Sequence, residues 1–165
     1  TYEGALKAGL SLVDEEMEAE VRRALALADE AAAPLELREA FGAYYGGHGI
    51  PYAASYANEI VCEALAILKR TAESPKEAIL TAVNFGRDTD CLAAVAGSIA
   101  GALAGAADLP AEWIAQVDAA TRDNPHTCLH LSLAEMTQIV MSGLHAEQKR
   151  AATRASELAN ALGSE

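Results

Sequence analysis

Basic residues are scarce in this chain. Lysine and arginine number 12 against 24 aspartates and glutamates, a formal net charge of −12. Such a surface repels phosphate backbones and anionic lipid, which argues against a nucleic-acid or membrane partner. A small anionic ligand would need a cation or local backbone dipoles to bind. Cysteine is sparse too. Cys62, Cys91 and Cys128 are widely separated, odd in number and form no CxxC pair. That usage reads as reduced thiols, and cytoplasmic is the expected location. No basic leader precedes an apolar run, and acids crowd positions 14–20, so no signal peptide is expected. The longest uncharged run, Cys91 to Ala107, is short for a membrane span and built of alanine and glycine. It reads as a tightly packed buried helix. Hydrophobic residues make up 52% and charged residues 22%, which excludes disorder and collagen-like repeats. A chain of 165 residues fits one domain with a proper core.

What is present is helical periodicity, nearly throughout. Residues 2–9 form a short helix. Asp14 caps a second to about Ala31, with Leu12, Met17, Val21, Leu25 and Ala28 on one face. Pro34 opens a third, to about Tyr44. The run Tyr45-Gly46-Gly47-His48-Gly49-Ile50-Pro51 then breaks the chain, and Tyr52 to Arg70 is a long helix. Ser74-Pro75-Lys76-Glu77 is a start signal with a capping box, and its helix stops at Gly86. Asp88 or Thr89 opens the apolar helix, which ends near Ala106. Pro110 begins another, holding Trp113 and Ile114. Residues 121–129 read as a polar loop, and Ser132 with Glu135 is a second capping box for a last helix to about Leu162. No strand pattern, repeat or linker is visible. The expected class is all-α, a single multi-helix domain of seven or eight helices. Gly97, Gly101 and Gly105 share a face at spacing four, which implies close approach of a neighbouring helix.

Asn84-Phe85-Gly86-Arg87-Asp88-Thr89-Asp90-Cys91 is the segment that carries chemistry. Two carboxylates at spacing two open a helix. One reading is structural: Asp88 caps and Asp90 meets the helix dipole. The other is a cation that relieves their repulsion, with oxygen ligands suiting Mg²⁺, Mn²⁺ or Ca²⁺. Gly46-Gly47-His48-Gly49 is either a turn between helices or a backbone approach to a phosphate or ribose. Tyr44, Tyr45, Tyr52 and Tyr56 flank it, to stack an adenine or to pack the core. Gly47, His48, Gly49 and Tyr52 are therefore candidate substrate-binding residues. Glu59 is a pocket candidate, being polar in an apolar stretch. His126 and His130, four apart, read as surface loop residues rather than a zinc pair.

The ordered stretch from Glu77 to Ala102, followed by Leu109-Pro110-Ala111-Glu112-Trp113, resembles the ADP-ribosylglycohydrolase family. That family's late signature reads roughly A-x-N-x-G-G-D-T-D-T-x-A-A-x-A-G-A-x-A-G-A, then I-P and a tryptophan. The resemblance covers residues 77–114 well and 12–76 loosely; after Asn124 only helicity is shared. It implies an all-α fold with a binuclear Mg²⁺ or Mn²⁺ centre that hydrolyses N- or O-glycosidic bonds of ADP-ribose on a protein or small molecule. Asp88 and Asp90 fall on two metal-ligand aspartates. Cys91 falls on a ligand threonine: Mn²⁺ tolerates the thiol, a water replaces it, or Cys91 packs. Arg87 stands where the family has its second glycine, to meet a substrate phosphate or an acidic neighbour.

The same resemblance implies a first half bearing a Thr/Ser-Asp-Asp motif, which is not found before residue 88. Residues 1–165 thus look like the C-terminal portion of such a domain. The remaining ligands and the general acid or base are expected in an N-terminal half or a companion chain. Two other functions stay open: hydrolysis of another N-riboside or nucleoside, and a non-catalytic helical relative.

Overall fold

Most helices form where capping and periodicity place them in the computed structural model, which describes residues 1–47, 56–72, 74–126 and 130–163; the helix expected from Tyr52 instead starts at Ala57, because Tyr56 is extended. Among the described residues there are eight helices and no strand: α1 Tyr2–Leu10, α2 Glu15–Glu30, α3 Pro34–Gly47, α4 Ala57–Thr71, α5 Pro75–Phe85, α6 Thr89–Ala104, α7 Ala111–Asp123 and α8 Leu133–Leu162. The chain divides into two compact units, residues 1–109 and 110–165.

The first unit is built on α4. Its residues Cys62, Ala64, Ala66, Ile67 and Leu68 are fully buried, and α2, α5 and α6 pack against it. Alanines at the contacts let helix axes approach closely, while Leu37, Phe41 and Phe85 fill the wider space. Phe41 stacks on Tyr45 at 5.9 Å and meets Phe85 edge-on at 5.7 Å. This aromatic packing explains why α3 runs past Tyr44 to Gly47. Tyr45 is interior, and its hydroxyl donates to Glu20 at 2.5 Å. The Tyr45 phenol is accordingly pushed well above its ordinary value, by burial first and the Glu20 bond second.

Caps form where the sequence suggests, although the Ser74–Glu77 box closes in one direction only, the Ser74 N–H donating to the Thr71 carbonyl at 2.9 Å instead. The Asp14 carboxylate accepts from the Met17 N–H at 2.9 Å, and the Ser74 hydroxyl accepts from the Glu77 N–H at 3.2 Å. The Ser74 hydroxyl also donates to Asp108, so it serves two elements. α6 differs from the expected buried helix. Only Leu92, Ala96 and Ala100 are fully enclosed, a single stripe at spacing four. The glycine stripe is corrected as well. A Cβ on Gly97 would sit 2.8 Å from Ile79 Cγ1, so α5 does press there. Gly101 faces open space, and Gly105 lies beyond the helix at φ 81°, closing it as a left-handed cap.

In the second unit, α7 runs through residue 123, three residues into the expected loop. Asp118 accepts from the Leu133 N–H at 2.7 Å, and His130 Nδ1 lies 2.8 Å from the Arg122 carbonyl. The Ser132–Glu135 capping box forms in both directions. No helix among the described residues is long and apolar enough to cross a membrane.

Candidate metal centre

The chain must redirect between α5 and α6 within three residues, and its backbone shows how. Gly86 leaves α5 at φ 94°, a left-handed value open to glycine. A Cβ there would also lie 3.3 Å from the Nε and Nη2 atoms of Arg38. Arg87 follows at φ 58°, the single non-glycine residue at positive φ among those described. That conformation costs an L-residue roughly 1–2 kcal/mol, so its surroundings must hold it.

Glu59, in the first turn of α4, is what holds it. Its Oε1 pairs with Arg87 Nε, and Arg87 Nη2 donates to its Oε2 at 3.1 Å. The carboxylate side is 1% exposed and the arginine side 24%. One helical turn along, Glu63 is just as buried and hydrogen-bonds with Glu59; its Oε1 finds no partner among the described residues. Burial pushes the Glu63 carboxyl up to about 8, with the charges of Glu59 and Asp88 acting the same way and Arg87 opposing them. Glu63 therefore holds its proton at neutral pH. Beside this cluster, Glu20 accepts from Tyr45 and from Asn58 Nδ2 at 3.1 Å, tying α2 and α3 to the start of α4.

Asp88 occupies the N-cap position of α6 yet makes no capping bond with its side chain. Its carboxylate faces Asp90 and Cys91 instead. One ligand atom from each of the three lies within 4.8 Å of the others, the only such group found among the described residues. The Asp90 carboxyl is held below its ordinary value by hydrogen bonding with Asp88, and then by the backbone N–H groups of Cys91 and of Asp90 itself. Hydrogen bonding to Asp88, followed by the Asp88 charge, raises the Cys91 thiol. Cys91 is exposed, so the packing role considered for it is not what is seen. A thiol is also a soft donor, poorly suited to a hard cation. The two carboxylates, by contrast, fit Mg²⁺ or Mn²⁺. Both are oxygen donors, both are open to solvent, and Asp88 is free of the capping duty that would otherwise explain it.

A model of the ADP-ribosylglycohydrolase family matches residues 1–152. The chain belongs to the ADP-ribosylglycohydrolase family. No curated protein and no solved structure matches it. The family match reaches well beyond residues 77–114 and takes in the first two-thirds of α8.

Within this ADP-ribosylglycohydrolase chain the candidate residues separate. Asp88, Asp90 and Cys91 come together, and Arg87 turns to an acidic neighbour. Gly47 closes α3, while His48, Gly49 and Tyr52 lie outside the described residues. Tyr45 belongs to the core, and Arg23 sits 4.5 Å over the Tyr44 ring. His126 and His130 are exposed and join no metal-binding group. Sequence reasoning missed Glu63. Its signal was a second glutamate four residues after Glu59, inside the same apolar stretch.

Proposed function

We propose that this chain supplies one side of the divalent-cation centre of a hydrolase that cleaves ADP-ribosyl N- or O-glycosidic bonds on a protein or small molecule. The observation that carries the reading is Asp88: an N-cap aspartate that does not cap, turned to Asp90 at the mouth of the turn. Asp88 and Asp90 would hold Mg²⁺ or Mn²⁺, and Cys91 contributes no strong ligand. When bound, such cations offset negative charge and position a water for attack. The chain's own residues keep the two carboxylates adjacent, and they fix the backbone that presents them. A companion segment would complete the ligand set and bring the general acid or base.

The test is calorimetric titration of Mn²⁺ and Mg²⁺ into the chain, beside an Asp88→Ala, Asp90→Ala variant of it. Binding by the parent that disappears in the variant supports the centre. Equal binding by both removes this chain's carboxylates from the reading; none by either means that the site needs its companion segment or that Asp88 and Asp90 hold no cation.

A further inference from the structure

We propose that Glu59 is a positioning residue: through Arg87 it fixes the Gly86–Asp90 turn, and so the placing of Asp88 and Asp90. The inference deepens the cation reading above and rests on it for its functional meaning.

Three observations support it. First, the turn is strained at Arg87, and a strained residue persists only where its surroundings over-determine it. Second, the contact is an ion pair anchored by a hydrogen bond: Arg87 Nη2 donates to Glu59 Oε2 at 3.1 Å, and Nε lies against Oε1 of the same carboxylate without a hydrogen bond between them. Third, Glu59 is itself enclosed. It is buried in the first turn of α4 and follows Asn58, which is bonded to Glu20.

Stability alone does not account for the arrangement. A buried ion pair is often no more stabilising than apolar side chains of the same volume. What it adds here is orientation, passed along one residue of backbone. Arg87 is joined directly to Asp88, the Thr89 N–H donates to the Arg87 carbonyl at 3.1 Å, and the Leu92 N–H donates to the Asp88 carbonyl at 3.0 Å. A guanidinium locked by Glu59 therefore fixes both the N-cap residue and the first hydrogen bonds of α6.

The experiment uses Glu59→Gln, which keeps the shape and removes the charge. Arg87→Lys keeps the charge and removes the fork. Amide hydrogen exchange is followed without added cation, and Mn²⁺ affinity is measured by calorimetry. Exchange at Thr89 and Leu92 is expected to quicken about tenfold more than at Ala96, which lies on the same helix. Mn²⁺ affinity is expected to fall roughly 10–100-fold, as when an outer partner of a metal ligand is lost. If Thr89 and Leu92 quicken no more than Ala96 in either variant, the proposal is overturned. Should Glu59→Gln fail to fold, Arg87→Lys decides by the same comparison. Selective quickening with no Mn²⁺ binding by the parent upholds the positioning role and shows that this chain alone holds no cation.

Discussion

Replacing Arg87 with glycine, the residue at this place in the family signature, should destabilise the chain. Two opposed effects set the size. Glycine relieves the left-handed backbone at φ 58°, a gain of roughly 1–2 kcal/mol. Against this, the substitution leaves the Glu59 carboxylate, 1% exposed, without its cation. Removing one partner of a buried pair costs about 3–5 kcal/mol. The loss is larger than the gain, so Arg87→Gly should cost on the order of 2–3 kcal/mol. Adding Glu59→Gln should restore most of it, because no buried charge then remains. The assay is denaturant unfolding followed in the tyrosine near-ultraviolet bands. All five tyrosines precede residue 57, whereas the single tryptophan, Trp113, belongs to the second unit. The tyrosine transition is thus the one that must move. An Arg87→Gly chain as stable as its parent, or more stable, would mean that backbone strain outweighs the pair, and the account of the turn would be wrong.

Two further predictions concern the core. Gly101→Ala should stabilise the chain by up to about 1 kcal/mol, since its Cβ enters open space in a helix. Gly97→Ala should give no such gain and should lose roughly 1–2 kcal/mol, because Ile79 Cγ1 stands 2.8 Å away; adding Ile79→Ala should remove that penalty relative to Ile79→Ala alone. Equal effects at the two glycines would contradict the packing described. Glu63 gives a pH prediction. Its folded value, about 8, lies above the ordinary one, so the native state binds the extra proton in between. The stability it contributes is fully present below the ordinary glutamate range and is lost as pH rises through about 8. The groups facing it are Glu59 on its own helix, and Arg87 and Asp88 from the turn. Unfolding midpoints measured from pH 5 to 9 should fall more steeply for the parent than for Glu63→Gln; parallel profiles would show that Glu63 is charged throughout.

The helices were legible because their signals are local. Asp14, Ser74 and Ser132 cap where they stand, and Gly86 stops α5. The extension of α3 to Gly47 was not legible, because it depends on Tyr45 reaching Phe41 and Glu20, and Glu20 is 25 positions away. Spacing alone gave Gly97, Gly101 and Gly105 one role. The fold gives them three, because only Gly97 lies opposite a branched side chain. At the site, the D-T-D pattern located Asp88 and Asp90, but it could not decide between cap and ligand. The fold adds that Asp88 makes no capping bond with its side chain. Of the three readings open for Cys91, packing is not seen, because position 91 falls outside the Leu92–Ala96–Ala100 stripe and is exposed.

The Gly→Arg departure from the family signature takes on a different meaning in three dimensions. Read along the chain, it suggests a decayed motif and a non-catalytic relative. In the fold, Arg87 keeps the left-handed backbone that glycine would supply, and its side chain ends on a buried carboxylate 28 positions earlier. Glu63 then carries the proton that lets two buried glutamates coexist beside one arginine. A random substitution would carry the strain with no partner waiting in the core. The pairing makes Glu59 and Arg87 one device, and what lies next to it is Asp88. On the reading proposed above, that device places Asp88 and Asp90; the Arg87→Gly chain separates its share of stability from that role.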